Sequence, residues 1–296
     1  MPVENISAGC CHGFSGYTKD DCKISASHWT KIGDPAKAVH NFCTVLSAGR
    51  RLAEERLKCN FNVSYGETPR EKVDFYCPPD GRVEAVLIFV HGGLWMEGSK
   101  DQYGHFADKL ADCGIESCIL GYDLAPSVNI EKMISQIANG IDYVYKTRCE
   151  AKSVELIICG HSAGAHLVAS SVAMTNCSKQ IDKILLISGI FDLSKITDTY
   201  AGRTLRLNSL VAEQSSPINQ VSQLGGKLKP DVRILVVVGK HESEFYVTES
   251  RNYFSEIKLK LPEIKADFAY PDEDHFSVLE KFGTSTFPLT QFVVTP

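Results

Sequence analysis

The stretch Gly160-His161-Ser162-Ala163-Gly164 constrains this chain more than any other. It follows the apolar run Leu156-Ile157-Ile158-Cys159, a buried-strand pattern, and leads into Ala165-His166-Leu167-Val168-Ala169, which reads as a helix. A G-x-S-x-G turn between a buried strand and a helix has to be tight, and glycines at 160 and 164 remove side chains where the two elements crowd the serine. Such a turn lifts Ser162 Oγ out of the sheet and aims it at the start of the helix. There the helix N-terminus favours negative charge, and the Ala163 N–H can donate to an oxyanion. Ser162 is the candidate nucleophile.

The rest of the chain supplies the sheet that such a turn needs. Residues 83–90, 115–121, 154–159, 183–188 and 232–238 are apolar runs separated by helical patterns; Ile130, Met133, Ile134, Ile137, Ile141, Val144 and Tyr145, for example, mark one face of a long helix. Five such strands predict a mainly parallel central sheet flanked by helices on both faces. Residues 61–65 and 72–76 alternate apolar and polar side chains and read as antiparallel edge strands, and residues 264–270 read as a last strand. Asp34 as N-cap and Pro35 at the first helical position open a helix carrying Ala38, Phe42, Leu46 and Leu57, with an irregularity expected at Gly49. Residues 1–26 are expected to be an irregular tail and residues 27–296 a single domain. Between residues 192 and 230 the alternation lapses for about 35 to 40 residues, too long for an ordinary connection, and a short lid insertion is expected there. The fold class is α/β, with the strand–elbow–helix order of the α/β-hydrolase fold.

A net charge of -5 and a pI near 6.0 provide no field for nucleic acid, and no Lys/Arg block is interleaved with aromatics. No apolar run approaches the roughly 18 residues of a membrane span, and residues 1–16 lack a secretory pattern. A cytoplasmic protein is expected, with a small-molecule substrate and, at most, a second copy of the chain as partner. The 11 cysteines are then expected to be free thiols. Cys10, Cys11, His12 and Cys22 match no paired C-x2-C framework, so no metal is expected.

A serine nucleophile needs a base and an acid, which in this strand order follow it as acid and then histidine. His275, in Asp272-Glu273-Asp274-His275-Phe276 after the last strand, is the candidate base. Glu242, just beyond Val236-Val237-Val238-Gly239, is the candidate acid, with Asp192 and Glu244 as competitors and His241 as a neighbour. His91-Gly92-Gly93 follows an apolar strand, and glycines there let backbone N–H groups approach a tetrahedral oxygen; Gly92, Gly93 and Ala163 are the candidate oxyanion donors. Trp95, beside that loop, reads as a substrate-binding wall in preference to a core residue. Chemistry of this kind calls for no cofactor.

Taken together these segments resemble the kynurenine formamidases (arylformamidases), a branch of the hormone-sensitive-lipase-like α/β-hydrolases. The resemblance rests on His91-Gly92-Gly93-Leu94-Trp95 with Gly98-Ser99-Lys100, Tyr122-Asp123-Leu124-Ala125-Pro126, residues 160–166, Ser188-Gly189-Ile190-Phe191-Asp192-Leu193 and Asp274-His275-Phe276. It covers most of the chain from about residue 27 onward. It implies hydrolysis of N-formyl-L-kynurenine, or a related aryl formamide, to formate and L-kynurenine in tryptophan catabolism. Glu242 stands where that family usually has aspartate.

Overall fold

The computed structural model describes residue 10 and residues 12–295 of the chain; Cys11 lies outside the described residues. Eight strands form one continuous sheet: β1 Lys58–Ser64, β2 Lys72–Cys77, β3 Ala85–Val90, β4 Ile115–Leu120, β5 Glu155–His161, β6 Lys183–Ile187, β7 Arg233–Val237 and β8 Lys265–Ala269. Their spatial order is β1-β2-β4-β3-β5-β6-β7-β8. β2 runs antiparallel to β1 and to β4, and every other pair is parallel.

The apolar runs become parallel strands because both faces of the sheet are covered. Along β3, Val86, Ile88 and Val90 face one core, while Ala85, Leu87 and Phe89 face the other. β5 divides in the same way, with Leu156 and Ile158 on the first face and Ile157 and Cys159 on the second. Because β3 lies between β4 and β5, the chain moves to one side after β3 and returns to the other for β5. The crevice at the carboxyl ends of β3 and β5 is thus a topological switch point, where sheets of this kind place their ligands. The register pairs Val90 with Gly160, which brings the loop at residues 91–93 beside the turn at Ser162.

The helix Pro35–Arg56 starts where its cap signals place it, with the Asp34 side chain accepting from the Lys37 N–H at 3.0 Å. It does not break at Gly49. A Cβ there would lie 2.6 Å from His105 Cβ, so the glycine lets the helix pack closely against the turn at His105.

Two expectations are corrected. The irregular tail expected over residues 1–26 contains the helix Lys19–Ile24, closed by a capping box between Thr18 and Asp21. Six residues are too few for a visible period, and the helix is held by tertiary contact: Cys22 and Ile24 are 0% and 1% exposed. The insertion around residues 192–230 does form short helices, Tyr200–Thr204, Ser209–Ser215 and Val221–Leu224. Leu193, Ile196, Ala212 and Leu224 of the insertion are packed into the main core, and among the insertion's residues Tyr200 is the one that borders the cavity over Ser162. The cover comes instead from the N-terminal segment.

Candidate active site

Ser162 sits between β5 and the helix Ala163–Ser171 with φ 57° and ψ -123°. A side-chain-bearing residue held there stores roughly 1–3 kcal/mol of backbone strain, which the surroundings must over-determine. They do so through both neighbours of the turn. The Ser162 N–H donates to the Ile187 carbonyl at 2.8 Å, and its own carbonyl accepts from the Ala165 N–H at 2.9 Å. A Cβ on Gly160 would lie 2.4 Å from the Gly164 carbonyl oxygen, and one on Gly164 would lie 2.1 Å from that of Val90. Strand, turn and helix approach as closely as glycine alone permits.

His275 and Glu242 meet on the loops after β8 and β7. His275 Nδ1 lies 2.6 Å from Glu242 Oε2, and both side chains are buried. The second carboxylate oxygen, Oε1, accepts from the Ser188 hydroxyl at 2.6 Å and from the Gly239 N–H at 2.7 Å. With Nδ1 engaged, the free Nε2 is directed away from the acid, and His275 borders the same cavity as Ser162. The His275 carbonyl is held in turn by His161, whose Nε2–H donates to it at 2.9 Å. Burial, and then the neighbouring His275, keep His161 neutral, well below the usual histidine range.

Gly92 packs directly against the serine, since a Cβ there would lie 2.8 Å from Ser162 Cβ. Among the described residues no group accepts from the N–H of Gly92, Gly93 or Ala163. His91 and Tyr122 fix this loop. The Tyr122 hydroxyl donates to the His91 carbonyl at 2.9 Å, and the rings stack with centroids 4.5 Å apart. Burial pushes His91 down to about 4, so it is a neutral spacer. The Gly98-Ser99-Lys100 lysine is structural too: its buried Nζ donates to Asp74 at 2.8 Å and Asn62 at 2.7 Å, behind the loop.

The cavity over Ser162 has a volume of about 290 Å³. Its walls include Leu94, Phe276 and Tyr246 from the hydrolase core, and Tyr17, Ile24 and Ser25 from the N-terminal segment. Trp95, expected as a wall, is 0% exposed and lies behind the cavity, where its indole N–H donates to His166 Nδ1 at 3.3 Å. The reason is its backbone: Leu94 and Trp95 both adopt positive φ, 47° and 60°, a turn that presents Leu94 to the cavity and folds the indole into the core.

The competing acids are engaged elsewhere. Asp192 accepts from the Ser194 N–H at 3.1 Å and faces Lys195 at 3.5 Å. Glu244 is exposed in the first turn of the helix Glu244–Lys260. His241 pairs with Asp272 at the surface, 2.8 Å away. Sequence reasoning missed Ser188, His161 and Tyr246. The buried Tyr246 hydroxyl donates to the Ile24 carbonyl at 2.9 Å, and Tyr246 lines the same cavity as Ser162. Ser188 and His161 stand inside motifs read for other residues, and Tyr246 lies in a helix with no motif around it.

Comparison with known proteins agrees with this architecture. A profile of the alpha/beta hydrolase fold matches residues 87–228. A kynurenine formamidase of Salmo salar is 31% identical over 92% of this chain and 93% of its own length. One of Danio rerio is 30% identical over 94% and 96%. Among solved structures, an esterase of Pyrobaculum calidifontis superposes with a TM-score of 0.65 at 17% identity, covering 86% of this chain and 90% of its own, a likeness of fold. With an alpha/beta-hydrolase sheet, an elbow serine at its switch point and near-full-length relatives, the chain belongs to the kynurenine formamidase family of α/β-hydrolases.

Proposed function

We propose that this hydrolase cleaves the formamide of N-formyl-L-kynurenine, giving formate and L-kynurenine, with Ser162, His275 and Glu242 as its catalytic triad. The observation that carries the triad is the His275 Nδ1 to Glu242 Oε2 contact of 2.6 Å on the wall of the cavity that Ser162 borders. The substrate is supported by the formamidase relatives and by a cavity of about 290 Å³, near the lower end of the range that small-molecule sites occupy.

Ser162 Oγ attacks the formyl carbon as His275 Nε2 takes its proton, and Glu242 stabilises the imidazolium through Nδ1–H. The oxygen of the tetrahedral intermediate is held by the N–H groups of Gly92, Gly93 and Ala163. His275 returns the proton to the departing nitrogen, the C–N bond breaks and L-kynurenine leaves. A formyl ester remains on Ser162. Water, deprotonated by His275, attacks that ester and releases formate, and the serine recovers its proton.

Ester hydrolysis would use the same groups, so the substrate needs its own test. The kcat/KM for N-formyl-L-kynurenine is expected to exceed that for p-nitrophenyl acetate, because binding of the aromatic amino-acid portion contributes to the reaction at a distance from the formyl carbon. Faster ester hydrolysis with no formate released from the formamide would replace this reading with that of a small-acyl carboxylesterase.

A further inference from the structure

At the N-terminal side of the cavity, side chains distant in sequence converge outside the triad. Sγ of Cys10, Sγ of Cys22 and a ring nitrogen of His28 lie within 4.8 Å of one another. His28 Nδ1 is 3.6 Å from Cys10 Sγ and 3.4 Å from Cys22 Sγ, and His12 Nδ1 is 3.5 Å from Cys22 Sγ. A single ring nitrogen has one lone pair or one proton, yet His28 Nδ1 faces two sulfurs almost equally. That arrangement suits a shared central ion better than a pair of S–H bonds.

The distances agree with that ion's chemistry. With Zn–S near 2.3 Å and Zn–N near 2.0–2.1 Å, the sulfur-to-nitrogen edge of a tetrahedron is about 3.6 Å. Both sulfur-to-nitrogen separations within the group, from His28 Nδ1 to Cys10 Sγ and to Cys22 Sγ, lie close to it. Two thiolates and an imidazole select zinc over calcium or magnesium, which take oxygen ligands. The geometry points to a zinc site formed by Cys10, Cys22 and His28, with the His12 ring beside Cys22. The spacing of the first cysteines gave no sign of it because the last ligand, His28, comes from beyond the helix Lys19–Ile24.

The surroundings are built to hold these residues. The Trp29 indole N–H donates to the Cys22 carbonyl at 2.9 Å, and the Trp29 ring meets His12 edge-on at 4.4 Å. Phe14 and Tyr17 pack on the His28 ring with centroids 4.2 and 4.8 Å away. The chain between the ligands carries Ile24 and Ser25 to the cavity wall, and the Lys23 carbonyl accepts from Ser243 at 2.7 Å. Zinc at this position fastens the cover of the substrate cavity to the hydrolase core.

The test uses the full chain, stripped with a chelator under reducing conditions and titrated with Zn²⁺ alone, then with Co²⁺ as a spectroscopic substitute. After gel filtration, elemental analysis is expected to find about one zinc per chain, and the cobalt form is expected to show thiolate charge-transfer and tetrahedral d–d bands. Cys22→Ser is expected to abolish both signals and His28→Ala to lower zinc affinity by at least about tenfold. Cys113→Ser, which alters an exposed cysteine elsewhere, is expected to change neither. Wild-type protein that retains no zinc, a cobalt spectrum without charge transfer, or full zinc content in both Cys22→Ser and His28→Ala would overturn the proposal. The wild-type titration decides the matter even where a variant fails to fold.

Discussion

Glu242 is the residue on which the proposed chemistry is most exposed. Its carboxylate holds His275 through Oε2 and is itself fixed by Ser188 and Gly239 through Oε1. Glu242→Gln keeps the shape but removes the charge that stabilises the imidazolium, so kcat is expected to fall by about 10²–10⁴ with little change in KM. Asp192→Asn, at a residue occupied by Ser194 and Lys195, is expected to do far less. Adding Glu242→Gln to Ser162→Ala is expected to cost almost nothing further, because residues acting as one unit are not additive. A near-normal kcat in Glu242→Gln with a large loss in Asp192→Asn would move the acid to the turn after β6. At this scale Ser162, His275 and Glu242 were legible as candidates because strand order and loop position are enough to nominate them. The sequence did not reveal Ser188, since a serine that supports a carboxylate across two loops has no local pattern, and it misplaced Trp95, whose burial depends on a positive φ that no residue type announces.

The elbow is an element whose geometry tolerates no added atom. A Cβ on Gly164 would fall 2.1 Å from the Val90 carbonyl oxygen, a backbone atom that cannot move without disturbing β3. Gly164→Ala is therefore expected to lower stability by about 1–3 kcal/mol or more, through the strain of overpacking. It also shifts the helix that carries Ala163, so kcat should drop even where the variant folds. Urea unfolding monitored together with ester turnover checks both; a variant with wild-type midpoint and rate would show that the crossing is looser than described. The glycines of this element were legible because their spacing demands it. The helix Lys19–Ile24 was not, since it has too few turns for a period and owes its place to buried contacts with distant residues such as Tyr246 and Tyr200.

Across the whole molecule, burial sets a dependence of stability on pH. His91, His105 and His166 are each pushed down to about 4, and His161 is held well below its ordinary value, in all four cases chiefly by desolvation. In the unfolded chain these groups titrate near 6.5. Between about pH 6.5 and pH 4 the unfolded state therefore binds more protons, and stability, fully present above that range, is lost as pH falls through it. The loss is expected to be about 2 kcal/mol for each of His91, His105 and His166 by pH 5, measured as the difference in urea-unfolding free energy from pH 7.5. Equal stability at the two pH values would mean that the rings are solvated. The parallel sheet itself was readable because strands buried on both faces carry unbroken apolar runs, whereas the source of the cavity's cover was not, since a polar insertion and a Gly- and Cys-rich tail look alike until packing separates them. The central claim, a serine-dependent formamidase, is tested most directly by incubating wild-type protein and Ser162→Ala with N-formyl-L-kynurenine and quantifying formate and L-kynurenine together. Equimolar release by the wild type, reduced by several orders of magnitude in the variant, is the predicted result. Release at comparable rates from both proteins, or none from the wild type, would contradict it.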